Sequence, residues 1–188
     1  HAPASVDHCG NQEVVEVLPR LVHRIDKDTS GILVLARHTQ AATKLTKAFA
    51  QKDLQKVYWA LVVGVPEIRE GHIDMKLAKT TQGKDSRMEK MDVDDDDGKP
   101  AQTDYRVIDI VGNKLAWVEL LPLTGRTHQL RVHMASIGHP IIGDGKYGGS
   151  GAFLEGLAIP KQLHLHARRI VIPGIFGKPV DKTAPLPP

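Results

Sequence analysis

Short apolar runs alternate with polar breaks along most of the chain, and only two stretches carry a helical rhythm. Ile32 to Ala36 is a continuous apolar run entered through Thr29-Ser30-Gly31. That grammar predicts a loop at the edge of a sheet followed by a buried strand. Thr39 is suited to cap a helix over residues 40–51, which opens with Gln40-Ala41-Ala42 and repeats Leu45, Ala48 and Phe49 at helical spacing. Tyr58 to Val63, rich in aromatic and branched residues, predicts a strand, and Ile73 to Leu77 begins another extended segment. Residues 80–99 are polar, with Gly83, a charge cluster and Gly98, and read as a long solvated connection. Thr103 to Ile110 and Leu115 to Leu121 form a pair of strands around Gly112-Asn113. Thr127 is placed to cap a second helix ending near Gly138, with Leu130, Met134 and Ile137 on one face. Leu163 to Ile172 predicts a late strand, and residues 179–188 are Pro-rich. Residues 1–20 are polar and irregular, with Pro3, Gly10 and Pro19. Strands dominate, helices are few and no repeat is evident, so the expected class is α+β rather than a doubly wound sheet.

A chain of 188 residues can bury roughly 70% of its unfolded surface in a single core. No run approaches the ~18 apolar residues needed to cross a bilayer. The chain opens on polar and small residues, so no leader is expected, and the lone Cys9 cannot close an internal disulfide. Both features suit a cytoplasmic location. The net charge is +3, but Asp92 and Asp94 to Asp97 crowd into one stretch; removing those five negative charges leaves +8 on the rest. Such a body suits a polyanionic partner, without excluding an ordinary basic domain.

Several apparent motifs fail on context. Gly143 to Gly148 matches Gly-x-Gly-x-x-Gly but neither follows a clear strand nor opens a clear helix, so no dinucleotide site is expected. Asp92 to Gly98 resembles a calcium loop, yet Asp97 stands where the turn glycine is required and Thr103 where the bidentate Glu should be. His128 and His133 fall on different helix faces, and His164 and His166 lack a third ligand. No metal and no cofactor are expected.

The chemistry concentrates in Leu21-Val22-His23-Arg24-Ile25-Asp26-Lys27-Asp28-Thr29-Ser30-Gly31. Thr, Ser and Gly beside an Asp can fold the chain back sharply and aim a carboxylate into a cleft. The stretch resembles the His-Arg-Leu-Asp-x-x-Thr-Ser-Gly signature of the RluA-type RNA pseudouridine synthases, with Ile25 in place of Leu. Lys56-Val57-Tyr58 is similar to that family's Lys-x-Tyr strand. Leu123 to His133, containing Gly125-Arg126-Thr127-His128-Gln129-Leu130-Arg131-Val132-His133, and Gly138 to Asp144 resemble its later blocks in the family's order. The likeness runs from about Leu21 to the C-terminus.

The resemblance implies a single catalytic domain over residues 21–188, with a mixed, mostly antiparallel sheet and a central RNA-binding cleft. The chain is expected to lack the family's upstream strand and any accessory RNA-binding domain. It implies Asp26 as the catalytic carboxylate, acting by covalent addition or by assisting glycosidic cleavage. Arg131 becomes the charge partner of Asp26, Tyr58 the platform under the uracil, and Arg24 the side chain that replaces the extruded base in the RNA stack. Lys27, Lys56, Arg126, Arg168 and Arg169 are candidate phosphate contacts. The expected geometry puts the charged groups of Asp26 and Arg131 within ~4 Å, Tyr58 facing the same cleft, and Arg24 more exposed than Asp26. Leu163 to Arg169 looks most like the large-subunit branch, so the expected partner is ribosomal RNA, with transfer RNA as the alternative. Two other readings stay open: a non-catalytic RNA-binding assembly factor on the same scaffold, and a hydrolase pairing Asp26 with Asp28.

Overall fold

The computed structural model describes residues 18–51, 53–81, 89–94, 96–156, 158–175 and 177–187. Its strands are β1 (Arg20–Leu21), β2 (Ser30–Gly31), β3 (Leu35–Ala36), β4 (Gln55–Val63), β5 (Glu70–Thr81), β6 (Glu89–Val93), β7 (Lys99–Val111), β8 (Leu115–Pro122), β9 (Leu165–Ile172) and β10 (Val180–Thr183). The helices are α1 (Thr39–Gln51) and α2 (Gln129–Ser136), with a 3-10 turn over Gly149–Ala152. The large sheet runs β10-β9-β4-β8-β7-β5-β6, and β2 adds to β9. Every pairing is antiparallel except β2 with β9, which is parallel. This is the expected α+β class with a mostly antiparallel sheet.

Side-chain alternation decides which face of the sheet is covered. Ala60 and Val62 of β4, Val118 and Leu120 of β8, Tyr105 of β7 and Ile73 of β5 point to one side, where Leu130 and Met134 of α2 join them, with Ile137 packed against the cluster. Burying a side chain such as Leu or Met contributes roughly 1.5–3 kcal/mol, so these two largely fix α2 on the sheet. The helix ends as its sequence predicts. Gly138 takes a left-handed φ of 86°, its N–H donates to the Ala135 carbonyl, and the His139 N–H donates to that of Met134. That pair of bonds is a Schellman end. A second core packs Ala41, Leu45 and Ala48 of α1 against Ile170 and Ile172 of β9.

Five expectations need correction. Ile32 to Ala36 is not a buried strand: only Leu35–Ala36 pair, with β1, and Leu33 and Leu35 are exposed. The run feeds α1 and lends just Ile32, Val34 and Ala36 to the second core. The cap of α1 is His38, not Thr39; its Nδ1 accepts the Ala41 N–H at 3.2 Å and its carbonyl accepts the first helical bond, from Ala42. Thr127 does not cap α2, whose N-cap residue, His128, has a left-handed backbone and makes no side-chain cap bond. The polar region 80–99 is not all loop, because β6 forms a hairpin with β5. Beyond β6, the acidic stretch closes on Asp94, whose Oδ1 accepts the N–H groups of Asp96 and Asp97 at 3.0 Å. The Pro-rich tail likewise contains β10, paired to β9. Residues 1–17 of the irregular N-terminal segment lie outside the described residues.

Candidate active site

The segment from Val22 to Thr29 crosses one end of the sheet and is tied back by β2. The Thr29 N–H donates to the Asp26 carbonyl at 2.9 Å, closing a turn over residues 26–29. Ser30 and Gly31 then pair with His166 and Ala167, the Ile32 N–H donates to the Ala167 carbonyl at 3.0 Å, and Ser30 Oγ shares a 2.8 Å hydrogen bond with His166 Nδ1. Burial lowers the His166 pKa, so a neutral ring shares that bond. Gly31 is required here: its φ is 103°, and a Cβ would lie 2.3 Å from the Ala167 oxygen. The turn carrying Asp26 is therefore fixed to the backbone of the large sheet.

The Asp26 side chain is 17% exposed, and each of its oxygens has one basic neighbour. Arg131 Nη1 lies 3.9 Å from Oδ2, and His128 Nε2 lies 3.9 Å from Oδ1. Both distances exceed hydrogen-bond contact, so the carboxylate is flanked rather than clamped. Arg131 meets the ~4 Å expectation at its outer limit, but Asp26 is not its main partner. Its Nε and Nη2 donate to Asp144 Oδ2 and Oδ1 at 2.8 and 2.7 Å, a buried fork that uses the best donors of the guanidinium. Burial alone would disfavour the cation; the hydrogen bonds and charge of Asp144 outweigh it and raise the Arg131 pKa. Asp144 sits in the Gly143–Gly148 segment, a turn in which its Oδ1 also accepts the N–H groups of Lys146 and Tyr147.

Beside Asp26 opens a cleft of about 380 Å³, within the size range of small-molecule sites. Tyr58 of β4, Leu130 of α2 and Leu165 of β9 give it an apolar floor, while Arg24, Lys56 and Arg126 add positive charge. Burial, and then the Asp26 charge, push the Tyr58 hydroxyl up to about 12, so it stays protonated at neutral pH. Arg24 is exposed where Asp26 is half-buried, as expected. His23 stacks on Phe49 at 4.3 Å and accepts the Val34 N–H at 2.8 Å. Burial, and then Lys56, lower its pKa, which suits that acceptor role. A second cleft, of about 590 Å³, shares His128 and is lined by Lys27, Arg131, Lys146 and Lys161.

The other basic candidates divide. Lys56 and Arg126 line the first cleft and Lys27 the second, whereas Arg168 and Arg169 line neither. Arg168 lies over the Trp59 ring at 4.3 Å and donates to the Ala184 carbonyl; Arg169 forms an exposed fork with Asp181. Asp28 is exposed and lines the second cleft rather than the first, so it does not share a site with Asp26 as a paired-carboxylate mechanism would need.

Four residues here were given no role at the site from the sequence: His128, Gln129, Asp144 and Tyr147. Gln129 is buried and ties the Thr124–Arg126 loop together, accepting from Thr124 Oγ1 at 2.6 Å and the Arg126 N–H at 3.0 Å while donating to the Gln102 carbonyl at 2.8 Å. His128 and Gln129 stand in the Leu123–His133 block and Asp144 in the Gly138–Asp144 block, with Tyr147 just beyond. The blocks pointed to the region, but not to the bonds these side chains make.

Comparison with known proteins shows the family. The profile of the family described as RNA pseudouridylate synthase matches residues 6–136. The ribosomal large subunit pseudouridine synthase C of Rickettsia bellii is 39% identical over 169 residues, covering 89% of this chain and 54% of that protein. An uncharacterized RNA pseudouridine synthase of Zymomonas mobilis is 42% identical over 172 residues, covering 90% of this chain and 74% of that protein. The human RNA pseudouridylate synthase domain containing 1 superposes with a TM-score of 0.77 at 32% identity, over 90% of this chain and 69% of that one. The chain spans about half the length of several of the curated relatives it matches.

Proposed function

Because the chain belongs to the RNA pseudouridylate synthase family, we propose that it converts uridine to pseudouridine in RNA, with ribosomal large-subunit RNA as its substrate. The reaction breaks the bond between N1 of uracil and C1′ of ribose, turns the base, and joins C5 to C1′. N1 gains a proton and C5 loses one, so the atoms balance with no redox partner or energy source.

The observation that carries this reading is the placement of Asp26. A carboxylate flanked by, but not bonded to, two basic side chains opens onto a cleft with an apolar floor. It is free to approach the sugar or the base, by addition at carbon or by assisting glycosidic cleavage. Tyr58, protonated, offers a ring face to the uracil and a hydroxyl for hydrogen bonding. Arg24 at the rim is placed to enter the RNA stack where the target nucleotide leaves it, since a base inside a stack cannot be reached. Arg131 supplies positive charge near Asp26 while its own position is set by Asp144. Lys27, Lys56 and Arg126 supply phosphate contacts.

Residues 21–188 act as one catalytic domain in this reading, and the protein works in the cytoplasm. Two relatives named as large-subunit synthases support ribosomal over transfer RNA. Mass-spectrometric mapping of pseudouridine in RNA from a strain lacking the protein tests the proposal. Loss of a modified position in large-subunit RNA is expected. Loss confined to transfer RNA would move the substrate, and an unchanged map would leave a non-catalytic RNA-binding role.

A further inference from the structure

The Gly143–Gly148 segment carries a side chain that touches both groups beside Asp26. Tyr147 packs its ring against the buried cluster of Leu77, Met91, Ala101 and Val132. Its hydroxyl meets the Met91 N–H at 3.1 Å and His128 Nδ1 at 2.7 Å. Its ring stands edge-on to the His128 ring, and the Arg131 guanidinium lies 5.1 Å from its centroid, within cation–π range. Its backbone N–H donates to Asp144, the partner of Arg131.

The Met91 N–H occupies one lone pair of the Tyr147 oxygen, and the hydroxyl has one proton to give. Given to Nδ1 of a neutral His128, that proton leaves the ring's own N–H on Nε2, the atom nearest Asp26. His128 is also the one non-glycine with a left-handed backbone among the described residues, at φ 52°. Such a conformation persists only where the surroundings hold it. No side-chain cap does so at this helix end, and the bond to Tyr147 is what holds the imidazole.

We infer that Tyr147 is a positioning residue of the Asp26 site: its hydroxyl orients His128 and its ring face backs Arg131, which Asp144 anchors, so one side chain supports both groups that flank the carboxylate. This rests on the reading of Asp26 as the catalytic carboxylate. Tyr147 is not among the residues that line either cleft and acts through its two neighbours.

The test uses large-subunit ribosomal RNA transcribed with uridine tritiated at C5, since reattachment through C5 releases that hydrogen to water. Tyr147→Phe keeps the ring and the Arg131 contact but removes the hydroxyl. His128→Asn tolerates the left-handed backbone but is too short to reach Asp26. At saturating RNA, Tyr147→Phe is expected to slow single-turnover release about tenfold, the scale of one hydrogen bond, with RNA affinity within about threefold of wild type. The double variant should be no slower than His128→Asn alone, because the hydroxyl acts through the imidazole. Tyr147→Leu, which also removes the platform for Arg131, should be slower than Tyr147→Phe. Tyr147→Phe turning over within about twofold of wild type, or effects of the two substitutions that multiply, would overturn the inference. Should Tyr147→Phe melt below the assay temperature, His128→Asn decides, and a wild-type rate there overturns it. Wild-type protein that releases no tritium would instead sink the activity itself, and this inference with it.

Discussion

Replacing Asp144 with Asn changes one oxygen into an NH2 group and little else. Asp144 is 1% exposed, and its Oδ1 accepts from Arg131 Nη2, Lys146 N and Tyr147 N, while Oδ2 accepts from Arg131 Nε. An Asn that keeps its oxygen at the Oδ1 position preserves three of these bonds. Its NH2 then points at the Arg131 Nε–H, donor against donor, and the buried guanidinium loses its counter-charge. Removing one member of a buried pair costs about 3–5 kcal/mol, and the retained bonds put this case at the lower end, about 3 kcal/mol. For a chain of this size that corresponds to a fall of roughly 6–12 °C in melting temperature, read by circular dichroism. Arg131 freed from its fork can close the 3.9 Å gap to Asp26, so tritium release from C5-labelled RNA should fall even at temperatures where the variant is folded. A loss below about 1 kcal/mol, the range of a surface pair, would refute the claim that Asp144 anchors this site.

Other predictions bear on binding and pH. Tyr58→Phe should bind RNA nearly as wild type, whereas Tyr58→Ala should lose about 1–3 kcal/mol of affinity with the stacking surface, measured by filter binding. Affinity for RNA should fall steeply with salt, and Arg24→Ala should hurt the single-turnover rate more than binding; equal losses would make Arg24 a plain phosphate contact. His133 is fully buried beside Thr103, and burial pushes its pKa down to about 4. The unfolded chain therefore takes up a proton that the folded one refuses. The stability held by neutral His133 is complete above about pH 6.5 and falls by about 3 kcal/mol as the pH drops toward 4. Urea titrations of His133→Gln should show a flatter acid limb than wild type, and parallel curves would contradict the burial argument.

The parts of the fold legible in the sequence are those where one local pattern decides. Alternation along β4, β7 and β8 and the Gly138 stop of α2 need only neighbouring residues. Ile32 to Ala36 misled because an apolar run there marks contact with α1 and β9, not strand pairing. β6 and β10 were hidden because short, mostly polar edge strands carry little apolar signature and exist through their partners. In the site, Asp26, Tyr58 and Arg24 stood out through their motifs, and the structure brings Asp26 and Tyr58 to one cleft with Arg24 at its rim. The Arg131–Asp144 fork and the Tyr147–His128 bond were not legible, since both depend on the path of the turn after α2.

The central claim is that the Asp26 carboxylate performs the isomerisation. Asn keeps its shape and lacks its charge and nucleophilicity. Tritium release from C5-labelled large-subunit RNA, measured beside RNA affinity and melting temperature, tests it most directly. Asp26→Asn should release no tritium above background while binding RNA and melting much as wild type does. Activity in that variant within about tenfold of wild type, where loss of an essential nucleophile should cost far more, would contradict the account.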